Sequence, residues 1–375
     1  MCFPLISCWR WELVARAQVW RALMALGMNF HRMPHPRPRA PSFRKRIKTT
    51  VSPQPGEIDL LFYTPTEYQP PTILVGTDKV ANSSNNNNSN KPRGYPAVVN
   101  FHGGGFTLGR ASDDARWADA VVRRINAVVI SVEYRLAPEH PFPTAVEDGV
   151  DAVLYLLNHS EELGIDPHRI ATSGFSAGGN LAFTVPLKLQ AVINNPDPEK
   201  EKEQGRLNSN VVVTTPPIKL KANPIVAIAA WYPVTDFATY TRPQRRLKSI
   251  RPEKDLPQFF TELFDASYLH PLAELSLSSP YLSPGLAPVQ MLKALPDHIV
   301  LYTCEWDELR IEAERMRDRL TKEAGKEVSY RKVNSVAHAW DKSPNPLKWD
   351  QSIDEIYGEA CAALKKAFDV ASHEN

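Results

Sequence analysis

Gly174-Phe175-Ser176-Ala177-Gly178 sets a serine midway between two glycines. A serine hydroxyl attacks a carbonyl only when it projects from a sharp turn between a strand and a helix. Such a turn leaves no room for side chains beside it, and glycine meets that demand. The flanks fit: residues 169–173 read as a strand introduced by Asp166-Pro167, and Gly178 leads through Leu181, Ala182 and Phe183 into a helix. Small residues at this spacing arise by chance in many chains, so the surrounding sequence has to decide whether Ser176 is a nucleophile.

Upstream, residues 95–101 form a short apolar run that ends in His102-Gly103-Gly104-Gly105-Phe106, a buried strand opening into a glycine loop. Bare backbone N–H groups from Gly103 and Gly104, with that of Ala177, are candidates to receive the oxyanion that forms when Ser176 attacks. The other readings are a plain glycine turn or a phosphate loop. A phosphate loop needs a helix directly behind the glycines and usually a lysine, and Phe106-Thr107-Leu108-Gly109-Arg110 offers neither.

A serine nucleophile also needs an acid and a base. Residues 298–304 read as a continuous apolar strand, followed by Glu305-Trp306-Asp307-Glu308-Leu309 and a helix whose Leu309, Ala313, Met316 and Leu320 share one face. Residues 328–333 alternate like a half-buried strand, and His338 lies in the following segment, residues 334–340, expected to be a loop. Asp307 is the preferred acid because a short carboxylate can fix an imidazole N–H without reaching past it. Glu305 and Glu308 stay open as rivals, Glu308 also as a helix N-terminal carboxylate. Ser, Asp, His is the chain order of one triad arrangement among three common ones.

These residues, together with Tyr134-Arg135-Leu136-Ala137-Pro138-Glu139-His140-Pro141-Phe142-Pro143, resemble the hormone-sensitive-lipase-like family of α/β hydrolases, which includes bacterial and fungal carboxylesterases and arylacetamide deacetylases. The likeness spans residues 95 to 345 and is that of a fungal-type member. It implies an α/β-hydrolase fold, a mostly parallel sheet flanked by helices under a helical cap. It also implies a catalytic Ser176, Asp307 and His338, an oxyanion hole after His102, and structural support from Gly105, Gly174 and Gly178. One departure stands out: the family usually has Asp before the nucleophile, and here it is Phe175. Read by itself, the 134–143 stretch follows a β-branched strand at 127–132, and its prolines deny any continuation as strand or helix. Glu139 and His140, adjacent in such a loop, are expected to hydrogen-bond structurally rather than bind metal.

The chain has 375 residues, 43% of them hydrophobic, enough for one large α/β domain with an inserted lid. A net charge of +2 speaks against a nucleic-acid binder, and Cys2, Cys8, Cys304 and Cys361 are too few and scattered for a disulfide framework, which points to a reducing, cytoplasmic setting. The charge is uneven, however: up to Gly56 the only acid is Glu12, against Arg10, Arg16, Arg21, Arg32 and further basic residues. An amphipathic helix is expected from about 11 to 28, with Leu13, Ala17, Trp20, Leu23, Met24 and Leu26 as its apolar face. Three roles stay open for this segment: packing in the cap, peripheral membrane contact through 11–48, and a mitochondrial address.

The expected division is a basic segment at 1–48, core at 49–236 and 289–375, and a cap insertion at 237–288, with flexible insertions near 82–92 and 194–223. In the cap, Phe259, Phe260, Leu263, Phe264 and Tyr268 read equally as pocket lining or as core aromatics. The expected activity is hydrolysis of carboxylic esters of small to medium apolar molecules through an acyl-enzyme, with no metal or organic cofactor. A dedicated biosynthetic hydrolase or acyltransferase using the same triad, and a non-catalytic small-molecule receptor on the same scaffold, are the alternatives.

Overall fold

The computed structural model describes residues 6–69, 94–194 and 224–373. Eight strands form one sheet: β1 (Phe43–Lys48), β2 (Glu57–Tyr63), β3 (Tyr95–Phe101), β4 (Val128–Glu133), β5 (Ile165–Phe175), β6 (Ile225–Trp231), β7 (His298–Trp306) and β8 (Glu327–Ala337). Their spatial order is β1-β2-β4-β3-β5-β6-β7-β8. β2 runs antiparallel to β1 and β4, and every pair from β4 to β8 is parallel.

The parallel strands are near-continuous apolar runs because helices cover both faces. Val99, Phe101 and Ile130 pack with Val146, Val150 and Val153 of α3 (Thr144–Asn158) and with Leu181 and Val185 of α4 (Ala177–Asn194). Their neighbours Val98 and Val129 face the other way, onto Trp117 and Val121 of α2 (Ala115–Ile125) and onto Tyr357, Ala360 and Leu364 of the C-terminal helix (Gln351–His373). The chain leaves β3 toward β4 on one side and later inserts β5 on the other. The strand order therefore reverses at β3, and a crevice opens outside the carboxyl ends of β3 and β5. The glycine loop and Ser176 follow those two ends.

Three boundaries differ from expectation. β5 is longer than 169–173 at both ends. β8 continues through Ala337 where a loop was expected from 334, because β7 keeps pairing with it past an irregularity, to Trp306 opposite Ala337. The first helix, α1, spans Ile6–Arg32 rather than 11–28, and its expected single apolar face is split: Leu13 and Ala17 are buried, whereas Leu23 and Leu26 are exposed. The insertion expected near 82–92, and all but the first residue of that expected near 194–223, lie outside the described residues.

Candidate active site

Ser176 stands between the last residue of β5 and the first of α4, with φ of +54°. A non-glycine residue in this region is strained, and here the surroundings impose it: the Ser176 N–H donates to the Trp231 carbonyl on β6 at 2.8 Å. The tightness of the turn also explains Gly178, where a β-carbon would drive into the Phe101 carbonyl at the end of β3.

The serine, the histidine and one carboxylate come together. Ser176 Oγ lies 2.8 Å from His338 Nε2, and His338 Nδ1 lies 2.7 Å from Asp307 Oδ2. The other oxygen of Asp307 accepts the Leu309 N–H at 2.9 Å, which locks the carboxylate in the loop after β7. The rivals point elsewhere: Glu305 accepts from the Ser335 N–H at 2.7 Å, and Glu308 pairs with Arg242 at 3.3 Å. Burial alone would hold the His338 imidazole neutral, but the charge and hydrogen bond of Asp307, with Glu308 and Asp341 behind it, outweigh burial and raise its pKa above the ordinary value.

The glycine loop curls beside the serine. Gly104 has φ of +114°, and a side chain there would strike the Leu108 carbonyl, so the loop closes only with glycine. His102 holds its base: Nδ1 lies 2.7 Å from the Gly103 carbonyl, the ring stacks on Tyr134 at 4.3 Å, and the Tyr134 hydroxyl donates to the His102 carbonyl at 2.8 Å. No described residue accepts a hydrogen bond from the N–H of Gly103, Gly104 or Ala177. Pocket-lining N–H groups left unpaired in this way are free to receive an oxyanion.

Sequence reading missed the support beneath these groups. Asp341 accepts from the hydroxyls of Tyr232 and Tyr357, each at 2.5 Å, and the Tyr232 ring meets His338 edge-on at 4.8 Å. Lys342, whose ammonium group is buried, pairs with Asp114 at 2.8 Å and lies 3.7 Å above the ring of Phe175. Burial opposes the lysine's charge, but Asp114 and Asp341 outweigh it and raise its pKa. Beside Ser176, Phe175 thus makes a cation–π contact and a stack on Trp231 at 5.4 Å. From Asp114 a buried chain continues through Asn100 to Ser173, each link 2.8 Å, under the nucleophile turn. The adjacent charges Asp341-Lys342 were visible in the sequence; their burial was not.

Two cavities open on Ser176 and His338. The larger, about 200 Å³, lies on the Phe175 side under Met24, Met28, Phe260 and Phe264; the smaller, about 40 Å³, lies on the Asp307 side between Phe237 and Tyr268. Phe264 lines both. Of the five aromatic and leucine positions expected either as pocket lining or as core, Phe260, Phe264 and Tyr268 line cavities, Leu263 is buried and Phe259 is half exposed. Glu139 has the structural role expected of it, receiving Arg21 from α1 through two hydrogen bonds of 2.8 Å.

A family model described as alpha/beta hydrolase fold matches residues 98–342. Among curated proteins, an AB hydrolase superfamily protein of Schizosaccharomyces pombe is 43% identical over 98 residues, 26% of this chain and 29% of that protein. The match to Lipase 2 of a Moraxella species, 35% identical, covers 41% of this chain and 35% of the lipase. Carboxylesterase NlhH of Mycobacterium tuberculosis is 31% identical over 274 residues, 72% of this chain and 74% of the esterase. Among solved structures, an esterase of Pyrobaculum calidifontis superposes with a TM-score of 0.66 at 24% identity, over 93% of this chain and 92% of that one.

Proposed function

Since the chain belongs to the alpha/beta hydrolase fold family, we propose that it is a carboxylic ester hydrolase with Ser176 as nucleophile, His338 as base and Asp307 as the acid that orients it. The unbroken relay from Ser176 Oγ through the imidazole to Asp307, with steps of 2.8 and 2.7 Å, carries this reading. His338 Nε2 takes the Ser176 proton as Oγ attacks the ester carbonyl. The N–H groups of Gly103, Gly104 and Ala177 then stabilise the oxyanion, and loss of one such donor raises a barrier by about 3–4 kcal/mol. The imidazolium protonates the departing alcohol, and water admitted to the acyl-enzyme attacks with His338 again as base.

Helix α1 and residues 237–288 act as the cap, and the apolar lining of the larger cavity suits an acyl or alcohol group of small to medium size. A complete relay supports turnover over mere binding of a ligand.

Hydrolysis of p-nitrophenyl esters from acetate to palmitate, run beside Ser176→Ala and His338→Ala, tests the proposal. Turnover of the shorter chains that both substitutions abolish, with melting temperature kept, is the expected outcome. Turnover that survives in Ser176→Ala at the parent level removes the assignment.

A further inference from the structure

Helix α1 has a second apolar face turned to solvent. Leu13, Ala17 and Met28 turn inward, yet Trp11, Val19, Leu23, Leu26, Phe30 and Met33 stand between 41% and 74% exposed. From Val19 their spacing of four, three, four and three runs an apolar stripe along the solvent side, where a surface helix normally places polar residues. The stripe continues onto the helix Gln258–Tyr268, whose Phe259 is 40% exposed and stacks on Trp20 at 5.1 Å. Arg246 ties the preceding segment to Gln258 at 2.7 Å, and that segment exposes Leu247 and Ile250. Contiguous exposed apolar surface of this kind marks an interaction site.

The charges around it select the occupant. Residues 242–262 hold Arg242, Arg245, Arg246, Lys248, Arg251 and Lys254 against the acids Glu253, Asp255 and Glu262, and α1 holds Glu12 as its only acid. Arg21, Arg242 and Arg245 pair with Glu139, Asp265 and Glu312, whereas Arg16, Lys248, Arg251 and Lys254 stand at the surface, Arg16 beside Glu12 and Arg251 beside Glu253. Two copies meeting through this face would bring these cations together. An anionic lipid surface accepts both the apolar side chains and the cations.

We propose that the outer face of α1 and the tip of the Gln258–Tyr268 helix dock on a bilayer surface containing anionic phospholipid. Met24 and Met28, on the inner side of the same helix, line the cavity at Ser176, so the docked protein takes its substrate beside the lipid. The contact runs along the surface: among the described residues no helix is long and apolar enough to cross a membrane.

The test incubates the full chain with extruded vesicles of phosphatidylcholine alone, or with about 30% phosphatidylserine, and reads the pelleted fraction at low and high salt. The expected result is pelleting with the serine lipid that weakens with salt. It should fall roughly tenfold or more in a Leu23→Asp, Leu26→Asp double variant of unchanged melting temperature. Lys248→Glu with Lys254→Glu leaves α1 intact and should weaken pelleting several-fold, so the proposal does not hang on one variant. No pelleting with either vesicle, or equal pelleting by parent and both variants, overturns it. So does a dimer on size exclusion that the leucine variant dissolves, since a second copy then covers the face. Turnover of a soluble short-chain ester is read separately and reports on the catalytic proposal alone.

Discussion

The cavity at Ser176 has two walls of different construction. One is made at the carboxyl ends of β3, β5, β7 and β8, where each functional group is held by the backbone: Ser176 by the Trp231 carbonyl, Asp307 by the Leu309 N–H, the glycine loop by its own closure. The other consists of side chains brought by α1 and the Gln258–Tyr268 helix, Met24, Met28, Phe260 and Phe264, on elements that lie outside the sheet. Reaction chemistry requires atoms placed within a few tenths of an ångström, and strand ends supply that. Selectivity requires only shape, and side chains on covering helices supply it. The first wall should therefore fail in rate, the second in preference and stability.

The sharpest way to break this division is Asp307→Asn. An amide in place of the carboxylate holds the imidazole in the wrong tautomer, and kcat should fall by roughly 10⁴-fold while the melting temperature stays close to the parent's. The pH profile sharpens the same point. In the proposed mechanism His338 must be neutral to accept the serine proton, and Asp307 is the main group that overcomes burial to raise its pKa. The acid limb of kcat/KM should thus lie above the usual imidazole value of 6.5 and shift to lower pH in Asp307→Asn. A limb that stays where it was would mean that another group sets the histidine.

Next in size is the link between the covering segment and the core. Arg245 and Glu312 form a fully buried pair at 2.8 Å, and Glu312 also accepts the Thr235 N–H. Burial pushes the Glu312 carboxyl up to about 7 even beside Arg245. Arg245→Met removes its partner and should cost about 3–5 kcal/mol in denaturant unfolding at alkaline pH, and less at acid pH where the carboxyl is protonated, with kcat per folded molecule nearly unchanged. An unaltered unfolding midpoint would contradict a charged Glu312.

Phe264→Ala should leave acetate turnover intact and raise the hexanoate-to-acetate ratio of kcat/KM by about tenfold, because Phe264 lines both cavities. A proportional loss on all chain lengths would move Phe264 to the catalytic wall. The smallest effect belongs to Arg21→Ala. Arg21 fastens α1 through the Thr107 and Ala137 carbonyls and through Glu139. Its loss should cost about 1 kcal/mol and raise KM more than it lowers kcat, by steady-state kinetics.

The two walls also differ in how far the sequence announces them. The catalytic wall is carried by local patterns, because a strand-to-helix turn without space for side chains must be glycine, and because acid and base follow apolar strands in chain order. Of Asp307, Glu305 and Glu308, it is the shorter Asp307 that meets the imidazole, at 2.7 Å. At the covering wall the same reasoning lost its grip. Leu23, Met24 and Leu26 read as one apolar face, and the structure sends Met24 to the pocket and the leucines to solvent.

The sequence by itself determined the alternation of strand and helix and the family resemblance, and it marked Ser176, Asp307 and His338 as candidates, since each lies in a local pattern of its own, a glycine-flanked turn or the segment that follows a strand. The tertiary structure alone decided the burial of Asp341 and Lys342, the aromatic bed under Phe175 and the facing of α1. Those features join residues far apart in the chain, for example Tyr232 with Asp341 and Asp114 with Lys342. Helical periodicity marks which side chains share a face, but only packing settles which face turns inward.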